Sequence, residues 1–225
     1  MEDFKRIYLI LDLETGGLSA EKNPITQIAI LAVNAETLKE VTRLETFVRG
    51  YDDLEYEEIA LQKTGITYKN INNGIDAKEL VRILIILFDR LKPKGDRGKN
   101  APIIIGHNIN FDISFLEYLF KRVDKNLSEY VCSNSGRINA IDTQQLAQLQ
   151  QTIGKHTLGA CCERIGIETP DSHHAMNDVL ATKKLLEYFI SLIRGDKKTK
   201  LKKTEGQKEE IENTEAFEFR KSFEF

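Results

Sequence analysis

Asp12 and Glu14 stand at the end of an apolar run, Ile7-Tyr8-Leu9-Ile10-Leu11, and that placement limits what the chain can fold into. A short apolar run of this composition reads as a buried strand. Side chains alternate along a strand, so Asp12 and Glu14 share one face and Leu13 takes the other. Two carboxylates beside a core are costly unless something compensates their charge.

Two further clusters repeat the arrangement. Gly106-His107-Asn108-Ile109-Asn110-Phe111-Asp112 follows the apolar run Pro102-Ile103-Ile104-Ile105, and His173-His174-Ala175-Met176-Asn177-Asp178 opens a long amphipathic stretch. Together they bring Asp12, Glu14, Asp112, Asp178 and a histidine next to buried elements. Hard cations such as Mg²⁺ choose carboxylate oxygen, and Mn²⁺ accepts the same ligands. Such a set of acidic ligands with one base is the inventory for two-metal hydrolysis of a phosphodiester.

In order and spacing these clusters resemble the DEDDh (DnaQ-like) 3′→5′ exonucleases, most of all the proofreading epsilon subunits of bacterial DNA polymerase III. The match runs from about residue 7 to 193 and includes the D-x-E-T-G turn, the G-H-N-x-x-F-D box and the H-x-A-x-x-D ending. Ile141-Asp142-Thr143 with Leu146-Ala147 resembles the D-T-x-x-L-A stretch of DNA-directed members, and Thr157-Leu158 through Gly166-Ile167 resembles the helix before the last motif.

The resemblance implies a ribonuclease H-like α/β fold, a mixed β-sheet flanked by helices. It also implies two divalent metal ions, Mg²⁺ or Mn²⁺, on Asp12, Glu14, Asp112 and Asp178. Asp12 bridges both ions, Glu14 and Asp178 complete the nucleophile side, and Asp112 lies towards the leaving group. His173 is the implied general base, since histidine titrates near neutrality. The H-x-A-x-x-D spacing selects His173 over His174, which is left as a surface or capping residue. Five helical steps of about 100° put His173 and Asp178 roughly 140° apart. Both face the metals only if His173 lies at or before the helix start, with Asp171 or Ser172 as cap. In the family Thr15 and nearby amides hold the terminal nucleotide, and Leu18 wedges against its base. His107, Asn108 and Phe111 extend the substrate pocket, although Phe111 equally suits the core and Asn108 equally suits a loop brace. One departure is Gln27, where many relatives carry glutamate.

The chain has 225 residues, room for one domain over residues 1–195 and an extension over 196–225. Three cysteines form no disulfide framework, and the adjacent Cys161 and Cys162 read as small hydrophobes on a helix. No leader peptide or membrane span is visible, so a soluble, cytoplasmic protein is expected. The net charge of −3 speaks against a strongly basic nucleic-acid surface, yet leaves room for an enzyme that grips a few nucleotides. The expected substrate is the single-stranded or frayed 3′ end of DNA, in proofreading or repair; RNA 3′-end trimming is the alternative. The extension is basic first and acidic later, has little to bury before Phe217, and is expected to be disordered. It ends in Phe217-Glu218-Phe219 and Phe223-Glu224-Phe225, which reads as a docking peptide for a polymerase or other replication partner, or as a fraying terminus.

Strands are predicted over 7–11, 25–33 and 38–48, as an antiparallel meander, with another over 102–105. Helices are predicted over 55–64, from Asp76 to Leu91, from Asp112 to Lys121, and over 142–151, 157–165 and 174–193. Leu80, Leu84, Leu87 and Leu91 carry the helical stripe of the second, which stops at Lys92-Pro93.

Overall fold

The computed structural model describes residues 6–92, 100–151, 153–168 and 174–195. Its first strand, β1 (Ile7–Thr15), continues through the acidic pair and out the other side. Antiparallel β2 (Ile25–Asn34) and β3 (Glu40–Arg49) complete the predicted meander. Short helices α1 (Glu58–Thr64) and α2 (Tyr68–Asn72) and the two-residue β4 (Ile75–Asp76) lead to α3 (Ala77–Leu91). Then come β5 (Ile103–Gly106), α4 (Asn110–Lys121), the hairpin β6 (Ser133–Asn134) and β7 (Arg137–Ile138), and β8 (Ala140–Asp142). Helices α5 (Thr143–Gln150), α6 (Leu158–Arg164) and α7 (Ala175–Arg194) follow.

The main sheet has the order β4-β3-β2-β1-β5-β8. β5 and β8 run parallel to β1, so the sheet is mixed, as expected. The α2 helix and the strands β4, β6, β7 and β8 went unpredicted, because two to five residues carry too little periodicity to read.

Alternation along β1 divides the interior in two. Ile7, Leu9, Leu11 and Leu13 face the cluster built on α3 and α4, with Leu80, Leu84, Phe88, Leu116 and Phe120. Ile10 faces the other way, joining Ala29, Leu31, Val33 and Ile105 beneath Ala175, Met176, Val179 and Leu186 of α7. Asp12 and Glu14 continue that second face, so α7 is the helix that closes over them.

Helix starts follow local chemistry. Asp76, Asp142 and Thr157 each cap a helix by accepting from a backbone amide of its first turn. The α3 helix ends at Lys92, whose extended backbone (φ −74°, ψ 137°) is what a following proline imposes. Cys161 and Cys162 are buried in α6 as small hydrophobes, and burial raises both thiols, Cys162 to about 11. Among the described residues no helix is long and apolar enough to cross a membrane. The extension 196–225 and its aromatic tip lie outside the described residues, as do Asp171, Ser172 and His173.

Candidate active site

Three segments far apart in sequence deliver the carboxylates to one place. β1 supplies Asp12 and Glu14, the first turn of α7 supplies Asp178, and the first turn of α4 supplies Asp112. Carboxylate oxygens of Asp12, Glu14 and Asp178 lie within 4.8 Å of one another. Asp112 approaches from the opposite face of the sheet, and its Oδ1 accepts the backbone N–H of Leu13 at 3.0 Å.

Crowding and burial act on these groups in one direction. Burial first, then the charges of Asp112, Asp178 and Glu14, lift the Asp12 carboxyl well above the usual carboxylate range. Burial and Asp178 raise Glu14 to about 7, against the opposing charge of Lys63 on α1. Burial also raises Asp112 to about 7, although the amides of Leu13 and of Asp112 itself stabilise its charged form. An all-oxygen donor set whose members resist ionising together is what a divalent cation satisfies, because the cation supplies the missing positive charge. The chemistry of the donor set therefore fits the implied metal.

The predicted substrate residues fall into two groups. Thr15 and Leu18 sit at the exit of β1. Thr15 is buried and donates to the carbonyl of Gly17 at 2.7 Å, while Leu18 is 84% exposed. Their loop is tightly held: a Cβ on Gly17 would come within 2.4 Å of the Asn23 side chain, whose Oδ1 accepts from the Ser19 amide. The turn after β5 carries the others. His107 is braced at both ring nitrogens, Nε2 donating to the His156 carbonyl at 2.7 Å and Nδ1 lying 3.0 Å from Thr143 Oγ1. Burial lowers its pKa, which favours the neutral ring. Asn108 is exposed, takes a left-handed φ of 61° that asparagine tolerates, and gives its backbone N–H to Asp142 Oδ1 at 2.9 Å. Phe111 is half-buried and packs on Phe115 with ring centroids 4.9 Å apart.

Sequence reasoning missed Lys63, the cation near Glu14; a lone lysine on a short helix gives no signal of that proximity. It also assigned Asp142 and Thr143 only by resemblance. The structure gives them a job: Asp142 joins the α5 start to the Asn108 turn, and Thr143 joins it to Gly106 and His107. His174 is the first non-helical residue before α7; its side chain makes no cap and lies half exposed, with Nδ1 3.4 Å from Glu45 Oε1. His173, the expected base, lies outside the described residues.

The RNase_T family model, described as an exonuclease family, matches residues 9–186 of the chain. The chain belongs to this exonuclease family. Over 184 residues it is 29% identical to the DNA polymerase III PolC-type of Oceanobacillus iheyensis, covering 81% of this chain and 11% of that protein. The Bacillus subtilis PolC-type polymerase is also 29% identical, over 180 residues, with 80% and 11% covered. Solved nuclease structures share the fold. Escherichia coli exonuclease I in complex with a dT13 oligonucleotide superimposes with a TM-score of 0.66 at 21% identity, over 84% of this chain and 41% of that one. Cell-death related nuclease 4 (CRN-4) does so with a TM-score of 0.67 at 17% identity, over 84% of this chain and 65% of that one. The chain therefore spans a small part of the polymerases and under half of exonuclease I. The exonuclease fold and the DnaQ-like motifs agree, and the acidic cluster sits inside the matched region.

Proposed function

We propose that this chain is a metal-dependent 3′→5′ exonuclease that removes nucleotides from a DNA 3′ end and releases nucleoside 5′-monophosphates. The observation that carries this reading is the convergence of Asp12, Glu14 and Asp178 within 4.8 Å, with Asp112 fixed alongside.

In this reading Asp12, Glu14, Asp112 and Asp178 would hold the divalent cations. When bound, such cations would offset the phosphate's charge and acidify water. The chain's residues do the rest. His173 takes the proton from the attacking water; the water oxygen bonds to phosphorus as the bond to the 3′ oxygen breaks. That 3′ oxygen takes a proton from solvent to leave as the 3′-hydroxyl of the shortened strand, while the 5′-monophosphate departs. Thr15 and the amides of its turn hold the terminal nucleotide. Leu18, standing out of the loop, packs against the terminal base and separates it from its neighbour. Lys63 gives the rim a positive charge that attracts the phosphate backbone.

DNA is the preferred substrate because the relatives by sequence are DNA polymerases and exonuclease I is seen with DNA oligonucleotides. A place in replication, a partner for residues 196–225, and a division into nuclease and docking extension belong to the same proposal.

The test uses matched 5′-labelled DNA and RNA single strands with Mg²⁺ or with chelator, for wild type, Asp12→Ala and His173→Ala. The expected result is a ladder shortening from the 3′ end of DNA, abolished by chelator and by both substitutions. Faster shortening of RNA would transfer the enzyme to RNA trimming. No shortening of either strand by folded, Mg²⁺-supplied wild type would overturn the reading.

A further inference from the structure

Among the described residues, the side chain that reaches the first amide of α7 comes from β2 and not from the capping position. Helix N-termini leave backbone amides without intrahelical acceptors, and His174, at the capping position, supplies no side-chain acceptor. Gln27, only 2% exposed, brings its Oε1 to 3.5 Å from the Ala175 amide. Its Nε2 donates to Glu45 Oε1 on β3 at 3.2 Å. The same Glu45 oxygen lies 3.4 Å from His174 Nδ1. Gln27 is the cross-strand partner of Glu14, and Ala175 lies one helical turn before Asp178, whose amide bonds the His174 carbonyl.

Taking the metal site of the preceding section as given, we propose that Gln27 is a positioning residue: its amide ties β3 to the start of α7 and thereby holds Asp178 over Asp12 and Glu14. The two ends of the amide are not interchangeable. A backbone N–H needs an acceptor, and a carboxylate needs a donor, so the oxygen must face Ala175 and the nitrogen must face Glu45. A glutamate at 27 can serve Ala175, but it confronts Glu45 with a second carboxylate. A glutamate at 27 therefore requires a donor at 45. Neutral Gln27 with anionic Glu45 keeps the negative charge one strand further from the crowded carboxylates.

The experiment follows Mn²⁺ binding by the electron paramagnetic resonance signal of the free ion, alongside the melting temperature of the metal-free protein. It compares wild type, Gln27→Glu, Glu45→Gln and the exchange variant Gln27→Glu/Glu45→Gln. Gln27→Glu is expected to weaken Mn²⁺ binding about 10–100-fold, the scale for groups that orient metal ligands. The exchange variant restores the donor–acceptor order with reversed polarity and is expected to return binding to near the wild-type value. If Gln27→Glu binds as wild type does, or if the exchange variant binds no better than Gln27→Glu, the positioning role is wrong. A merely structural defect would lower the melting temperature without this rescue of affinity. If wild type itself binds no Mn²⁺, the failure lies earlier, in the metal site on which the inference rests.

Discussion

The Leu13 amide and the Asp112 carboxylate meet at 3.0 Å across 99 residues of chain. The bond fixes α4 to the strand that carries Asp12 and Glu14, and it needs only an acceptor, not a charge. Asp112→Asn keeps that acceptor and removes one of the mutually repelling carboxylates. Exonuclease activity is expected to fall by about 10²–10³, as when one electrostatic contact to a reacting centre is deleted. The metal-free protein at pH 8 is expected to melt higher than wild type. A lower melting temperature would mean that the charge itself holds α4 in place, and differential scanning calorimetry decides it.

The raised carboxyls make stability depend on pH with a definite sign. Glu14 and Asp112 are pushed to about 7 in the folded state, against about 4 in an unfolded chain. Between those values the native state holds the extra protons, so stability falls as pH rises through the window. These groups make the metal-free protein more stable at pH 5 than at pH 8. Mg²⁺ takes the place of the protons, so its effect on the melting temperature is expected to be larger at pH 8. Equal Mg²⁺ shifts at both values would contradict the site described here.

His107 spends both ring nitrogens on internal partners, the His156 carbonyl and Thr143. His107→Ala removes both bonds, leaving Thr143 its bond to Gly106 and the His156 carbonyl its bond from Gln144, at a cost of about 0.5–1.5 kcal/mol for each bond lost. For a chain of this size that is roughly 2–4 °C of melting temperature per kcal/mol. The Michaelis constant for an oligonucleotide is expected to stay near wild type. A large rise in KM without loss of stability would instead put the ring in contact with substrate.

Leu18 predicts the reverse pattern. With 84% of its surface exposed it contributes little to the fold, and Leu18→Ala is expected to leave the melting temperature unchanged. Burying a leucine against a base is worth about 1.5–3 kcal/mol, so KM for the 3′ end rises roughly tenfold or more. Steady-state kinetics on a single strand, set beside a thermal melt, separates the two residues.

Thr26 is fully buried and its hydroxyl finds no hydrogen-bond partner among the described residues. Thr26→Val keeps the β-branched shape that suits β2 and removes the stranded hydroxyl. A gain of about 1 kcal/mol is expected in urea denaturation, with activity unchanged. A loss of stability would mean that an unseen water satisfies the hydroxyl.

How much of this was legible in the sequence depended on the reach of each interaction. The β1 strand could be read from its short apolar run, and the α3 and α7 helices because a period of 3.6 repeats over many residues. The caps at Asp76 and Thr157 act within three residues, yet the helix starts there were read from the periodic pattern and the family resemblance alone. The shared face of Asp12 and Glu14 followed from strand alternation alone. The meeting with Asp112 and Asp178 could be reached only through family resemblance, because no local rule reports which segments become neighbours. Gln27 stood out as a departure from the family, but its contact with Ala175 spans 148 positions and had no local trace. Lys63 left no trace either, and the two-residue strands were too short to register.

The arrangement of the sheet has a consequence for how the protein is made. Synthesis delivers Asp12 and Glu14 first and Asp178 only after α6, while α7 is the helix that lays the last carboxylate over the first two. A nascent chain halted before α7 holds Asp12, Glu14 and Asp112 but not the group that completes the cluster. On this account the acidic cluster is complete only once α7 has docked, so among the described residues the helix added last to the sheet is also the one that finishes the site.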